Sequence, residues 1–297
     1  MKFDKPPQTH EEHYHLLIKR GLKIDDEARF YKYTKTIGYY RLTGYMYPFQ
    51  SNDGSHNFKT PVSFDTVLEH YLFDKKLKLI LLHEIERIEI SFRAIICNTY
   101  ALKYGSHWYL DDSYFNDKAI FYKIIEDVKK YSTDTSDLFI KNYNSKYTDP
   151  ALPASWMVFE IFTFGQTASI FENLKDTGEK KAIAAEYGTV VPILESWFKS
   201  INFIRNCCAH HSRLWNRKIP IKPMIPERKN KRFLTHIDAE TNKRIYGVLS
   251  CMLFLNKQIS PKSKFKERIK NLFVEYPSVN KEYMGFHADW EKEELWT

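Results

Sequence analysis

The sequence predicts a mostly α-helical protein, and three observations predict it. Apolar residues recur at three- and four-residue spacing through most of the chain. The alternating pattern of a half-buried strand is nearly absent. Helix-start signals, such as Asp25–Asp26 before Glu27 and Pro192 ahead of an apolar run, stand where the periodic segments begin.

Taken in order, residues 1–50 read as a small N-terminal helical module. A helix-like stretch from His13 to Lys19 ends at Gly21, and a second runs from Asp25 to Tyr33 with Asp25 or Asp26 as its cap. IGYYRLTGYMYPF follows, punctuated by Gly38 and Gly44, and SNDGSHNFKT is a polar loop. From Ser63 to Tyr104 a long helix is expected. Val67, Leu68, Tyr71, Leu81, Ile85, Ile88, Phe92 and Ile96 mark its apolar face, and Glu84, Glu86, Arg87, Glu89 and Arg93 its polar side. Glu89 and Arg93 form an i,i+4 pair.

Residues 105–117 are a loop and Lys118–Lys130 a further amphipathic helix, with STDTSD marking a turn. A helix then spans Ser155 to Gly165, followed by short ones over Gln166–Leu174 and Lys180–Tyr187. Pro192 opens the next, as favoured in a first turn. KIPIKPMIPERKNKRF, with its prolines and basic residues, is irregular surface chain. Glu240–Leu255 and the stretch around Phe265, Ile269, Leu272 and Phe273 close the helical part.

Composition excludes several classes. Apolar residues are 43% of the chain, enough for a core. Neither GxGxxG nor GxxxxGK[ST] occurs among the 10 Gly, which removes the usual nucleotide-binding loops. No stretch of about 18 apolar residues suggests a membrane span, and the polar N-terminus lacks a secretory core, so a cytoplasmic protein is expected. Cys97, Cys207, Cys208 and Cys251 form no CxxC pair and read as reduced, buried side chains. His10, His13 and His15 read as a solvated helix face. The net charge of +8 fits attraction to a polyanion.

The chemistry concentrates in SINFIRNCCAHHSRLWNR, residues 200–217. On a helical wheel Leu194, Trp197, Phe198, Ile201, Ile204 and Cys208 share an apolar face, and Arg205 falls within it. A guanidinium there needs a carboxylate, a phosphate or water. A structural reading pairs Arg205 with Glu86 or Glu89 and lets His210 and His211 cap the helix, where the dipole favours positive charge. A functional reading sets Arg and His beside an RNA phosphate. A His moves the proton of the 2′-OH or of the leaving oxygen, Arg205 clamps the phosphate, and Asn206 orients either partner. That chemistry calls on no metal or other cofactor. Arg205 and His210 lie about 140° apart around an ideal helix, so a site needs a loosened helix end or a second copy. The stripe of Trp197, Phe198 and Ile201 is expected to serve a two-fold contact.

Arg205 to His210 matches the R-x4-H motif of HEPN ribonucleases. SWFKSINFIRNCCAHHSRLWNR, LLIKRGLKIDDE, IGYYRLTGYMYPF, LFDKKLKLILLHEIERIEISFRA and LPASWMVFEIFTFG together resemble, in order and spacing, the Abi-like abortive-infection proteins of the AbiD/AbiF group, over roughly residues 3–220. The resemblance implies a helical HEPN-type bundle, with residues 1–50 as the N-terminal module, 51–220 as the HEPN-like core and 221–297 as a basic loop with helices packed on it. It implies a homodimer and RNA cleavage in phage defence or toxin action, with an antitoxin or small non-coding RNA as a further partner. Arg205 and His210 are then the catalytic pair, Asn206 assists, and His211 is a second candidate. Arg213, Arg217, Lys218, Lys222, Arg228, Lys229, Lys231 and Arg232 follow the motif against one acid, Glu227, and are expected to guide RNA. Two other readings compete: a non-catalytic RNA-binding regulator, and a DNA-binding regulator using the N-terminal helices.

Overall fold

A computed structural model describes the chain apart from Met1, Phe3, Lys5 and residues 227–232. It is mostly α, as the sequence predicts. Twelve α-helices occur among the described residues: α1 (His10–Lys19), α2 (Glu27–Ile37), α3 (Tyr39–Met46), α4 (Phe64–Tyr104), α5 (Lys118–Asp134), α6 (Leu138–Lys146), α7 (Ser155–Ile161), α8 (Phe164–Asn173), α9 (Gly178–Glu186), α10 (Val191–Ala209), α11 (Ile245–Ile259) and α12 (Phe265–Glu275). The one described sheet is a two-residue parallel pairing of β1 (Leu22–Lys23) with β2 (Val62–Ser63). None of the described helices is long and apolar enough to cross a membrane.

The organising element is α4. Its 41 residues span about 60 Å at 1.5 Å per residue, and Ser63 caps it by accepting the Thr66 N–H at 3.0 Å. Helices α3, α7, α8, α9, α10, α11 and α12 all pack on it. Because cover comes from several sides, its apolar residues are not confined to one stripe. Near its middle Phe92 is fully buried. Its ring lies 4.2 Å from Phe198 of α10 and 5.4 Å from Phe171 of α8, centroid to centroid. Aromatic contacts of this kind contribute beyond their buried area.

Boundaries differ from the sequence reading where side-chain caps decide them. Helix α1 starts at His10, earlier than expected, because Thr9 and Glu12 form a reciprocal capping box. Of the two candidate caps for α2, Asp26 serves, accepting the Arg29 N–H at 2.8 Å. Gly44 lies inside α3 rather than marking a turn. The helix expected over Ser155–Gly165 breaks at Phe162–Thr163, since Thr163 and Gln166 cap a new one. Helix α6 has no counterpart in the sequence reading. The helix expected from Glu240 begins at Ile245, after a 3-10 turn over Thr241–Lys243.

Burial brings three more findings. All four cysteines are free and buried, as expected. Glu84, assigned to the polar side of α4, is instead fully buried. Asn256 of α11 and Ser263 donate to its Oε2 at 3.2 and 2.9 Å, so α11 and α12 cover a face that the sequence left to solvent. Trp197, Phe198 and Ile201, expected at a two-fold contact, are buried within the chain's own core at 0–1% exposure. Trp197 stacks on Phe233 at 5.3 Å and meets Phe254 of α11 edge-on at 5.4 Å. The apolar stripe of α10 is therefore intramolecular.

Candidate functional site

Helix α10 ends between the two adjacent histidines. His210 is its C-cap, with φ −90° and ψ 14°, and His211 follows in the left-handed region at φ 55°. The His211 N–H donates to the Cys208 carbonyl at 3.1 Å and the Ser212 N–H to the Cys207 carbonyl at 2.8 Å. This is the double-bonded C-terminal closure of a Schellman motif, with a histidine where glycine is usual. The helix thus stops within one residue of the R-x4-H span. The two imidazoles leave the backbone in different directions, and both histidines are exposed.

Arg205 is half-buried one turn earlier. Among the described residues its guanidinium has one hydrogen bond, to Oδ1 of the adjacent Asn206 at 3.4 Å, and no carboxylate pairs with it. The pairing with Glu86 or Glu89 does not form. Glu89 is bound by Arg93, as its i,i+4 spacing suggested, at 2.5 Å. Arg205 therefore keeps most of its five donors for water or a ligand. Asn206, on the exposed flank, keeps its amide N–H groups.

The chain after the motif is fastened to α3 and α4 by a buried polar network. Asp74 of α4, fully buried, accepts the backbone N–H groups of Leu214 and Trp215 at 3.0 and 2.7 Å. Its other oxygen accepts the Tyr45 hydroxyl at 2.7 Å and lies 3.0 Å from Lys78 Nζ. Burial, reinforced by the Asp74 charge, pushes the Tyr45 hydroxyl far up, so it stays a donor. Lys78 also reaches the Ser212 carbonyl at 3.3 Å, and Arg41 of α3 donates to the His211 carbonyl at 2.6 Å. Trp215 is fully buried, its ring 4.4 Å from His70 and stacked with Phe49 and Tyr45. The carbonyls of His211 and Ser212, just past the helix end, thus face cations.

The basic residues past the motif take different places. Arg213 turns inward and donates to the Gly44 carbonyl. Burial holds the Arg213 guanidinium below its ordinary pKa. The Arg217 guanidinium lies over the Phe203 ring at 5.4 Å, a cation–π contact, and donates to the Arg213 carbonyl at 3.3 Å. Lys218 and Lys222 are exposed. Their segment is irregular, as predicted, and held to α10 by Trp197 Nε1 donating to the Met224 carbonyl at 2.7 Å and Met224 N–H donating to Ser196 at 2.8 Å. Arg228, Lys229, Lys231 and Arg232 lie outside the described residues.

The adjacent thiols offer no nucleophile. Burial pushes Cys207 up and Cys208 up to about 12. The end of α10 therefore presents a guanidinium, an amide and an imidazole within two helical turns, backed by Arg41, Lys78 and Arg213 and by one buried carboxylate. Such a surface suits a phosphodiester. Sequence reasoning missed Asp74, Tyr45 and Arg41. The available signal was Asp74 itself, an acid between the core residues Phe73 and Leu77 with Lys78 at i+4.

A family model described as Abi-like protein matches residues 32–216, which takes in α4, α10 and the whole R-x4-H segment. No curated protein matches the chain, and no solved structure does.

Proposed function

Because the chain belongs to the Abi-like protein family, we propose that it is a HEPN-type, metal-independent endoribonuclease of phage defence, acting in abortive infection or as a toxin. The observation that carries this reading is the state of Arg205: a half-buried guanidinium with no carboxylate among the described residues, one turn before an exposed His210. A structural arginine in that position would be paired.

The RNA 2′-OH is the nucleophile. An imidazole removes its proton as the 2′-oxygen attacks the adjacent phosphorus, and the 5′-oxygen leaves with a proton from a second imidazole. The products are a 2′,3′-cyclic phosphate and a 5′-hydroxyl. Arg205 holds the non-bridging oxygens in two-point contact and stabilises the charge gathered on them in the transition state. Asn206 orients the guanidinium from its neighbouring position. One chain carries one such motif, with Arg205 and His210 on diverging directions. A symmetric dimer apposing two α10 ends would supply both the base and the acid. Its contact would use the polar flank of α10, and Arg217, Lys218 and Lys222 with the four basic residues of 228–232 would draw in the RNA, whereas Arg213 is turned inward onto Gly44. Restraint by an antitoxin or a small non-coding RNA fits a nuclease that would otherwise harm its own cell.

The test is incubation of the purified chain with single-stranded RNA in EDTA, with end-group analysis of the products. Cyclic phosphate and 5′-hydroxyl ends, lost in Arg205→Ala and His210→Ala, support the reading. RNA that is bound but left intact would overturn it in favour of a non-catalytic RNA-binding module. Light scattering at micromolar concentration tests the dimer, and a monomer with full nuclease activity would rule it out.

A further inference from the structure

Away from the α10 motif, one group of side chains in the C-terminal region leaves a buried ring nitrogen beside a carboxylate without a hydrogen bond. Glu293 is 3% exposed. Its Oε2 accepts the Thr235 N–H at 2.9 Å and the Thr235 hydroxyl at 2.8 Å, and its Oε1 accepts the His236 N–H at 2.9 Å. Two imidazole nitrogens also lie near Oε1: Nδ1 of His236 at 3.1 Å, which is also 2.8 Å from the Thr235 hydroxyl oxygen, and Nε2 of His287 at 3.3 Å. His287 Nε2 is shielded from solvent and makes no hydrogen bond, although the carboxylate is so near. A buried ring nitrogen left this way costs about 1–3 kcal/mol in a purely hydrogen-bonded arrangement.

The separations fit a shared ion instead. Ligand atoms held about 2.0–2.2 Å from a tetrahedral metal stand roughly 3.3–3.5 Å apart. The two nitrogen–oxygen distances fall near that spacing, and all three ligand atoms lie within 4.8 Å of one another. Two imidazoles with one carboxylate are a donor set suited to zinc. The supporting groups are in place as well, since Thr235 grips the second carboxylate oxygen through backbone and hydroxyl and so fixes the direction of the first.

We propose that His236 Nδ1, His287 Nε2 and Glu293 Oε1 form a site for a zinc-type divalent cation, with water as the fourth ligand. Its three protein ligands link two parts of the chain, and the water position leaves the coordination open. The ligands come from two segments some 57 residues apart in sequence, and the ion ties the chain that returns after residues 227–232 to the aromatic tail. That tail packs Phe286 and Trp296 against Tyr246 of α11, with ring centroids 4.7 and 6.0 Å away.

The test is titration of the metal-stripped full chain with Co²⁺, followed by visible absorption, and a thermal-unfolding scan with and without Zn²⁺. The expected result is one equivalent bound with the intense bands of four-coordinate cobalt, and a Tm that rises with Zn²⁺. His236→Ala is the main variant, because that side chain is largely exposed and its loss leaves the fold alone. His287→Ala is the second. Changes in supporting residues alone cost about 10–100-fold in metal affinity, so removing either ligand should weaken Co²⁺ binding by at least about a hundredfold. His10→Ala/His15→Ala should bind as the parent does, which separates this site from the N-terminal histidines. Absence of the cobalt bands together with a Tm unmoved by Zn²⁺ would overturn the proposal, as would an affinity equal to the parent's in both His236→Ala and His287→Ala.

Discussion

Oδ1 of Asp74 lies 2.7 Å from the backbone nitrogen of Trp215, so a carboxylate in the first third of the sequence holds the chain that leaves the motif helix. The same oxygen takes the Leu214 N–H, and its partner oxygen takes Tyr45 and Lys78. Asp74→Ala would leave the Leu214 and Trp215 N–H groups and the Tyr45 hydroxyl without an acceptor, and Lys78 with only the Ser212 carbonyl. Breaking a buried charged pair from one side costs about 3–5 kcal/mol. The urea midpoint should fall by a corresponding amount, and the near-ultraviolet signal of the buried Trp215 should weaken. An unchanged midpoint would show that the segment is held by its apolar contacts alone.

Arg205→Ala and His210→Ala should each lower RNA cleavage by about 10²–10⁴-fold with the thermal midpoint unchanged, since neither side chain supports a buried contact. Arg205→Lys should rescue poorly, because an ammonium cannot make the two-point contact of a guanidinium. If the site is shared across a two-fold axis with one imidazole from each copy, adding excess His210→Ala chain to the parent should lower the parent's activity, because mixed dimers lack one imidazole. Full cleavage by both folded single variants would dismiss the catalytic assignment.

His211→Gly separates the two histidines. At φ 55° a side chain is strained by about 1–2 kcal/mol, whereas glycine enters without penalty but loosens the unfolded chain. Stability should therefore be unchanged or higher by up to about 1 kcal/mol. Cleavage should persist if His210 carries the proton. Loss of cleavage in a chain as stable as the parent would reassign the chemistry to His211.

Neutralising Arg228, Lys229, Lys231 and Arg232 together should weaken RNA binding across sequences. It should also flatten the salt dependence, by about 0.7 in log–log slope for each phosphate contact removed from a single strand. Lys218→Ala/Lys222→Ala is the companion variant, because both side chains are exposed beside the motif. Arg213 is unsuited to this test, since its bond to Gly44 also supports the fold. An unaltered affinity and slope in both variants would move the RNA path elsewhere.

Acid sensitivity should trace in part to His70. Burial against Trp215 and Phe49 lowers its pKa from 6.5, only partly offset by the hydrogen bond of Nδ1 to the Thr66 carbonyl at 2.7 Å. The unfolded chain then binds the proton first. Stability is fully present above about pH 6.5 and declines as pH falls from there toward the lower folded value. His70→Phe should flatten that part of the stability curve. Urea titrations at pH 7.5 and 5.5 make the comparison, and an equal pH slope in the variant would exclude His70 as the source.

The sequence by itself determined the helical class, the extent of α4, the start of α10 near Pro192 and the position of the Arg–Asn–His cluster. These follow from residues within a turn or two of one another, where periodicity and capping act. Even the break between α7 and α8 was written locally, in Thr163 and Gln166. Tertiary structure decided the rest. Nothing in the periodicity of α4 shows that Glu84 lies beneath α11 and α12, or that Asp74 meets a backbone 140 residues away. The stripe of Trp197, Phe198 and Ile201 was legible as apolar but not as intramolecular, because its partners Phe233 and Phe254 come from beyond the family-matched region. A helix shows in its sequence which residues avoid water, and only the packing of distant segments settles what they meet instead.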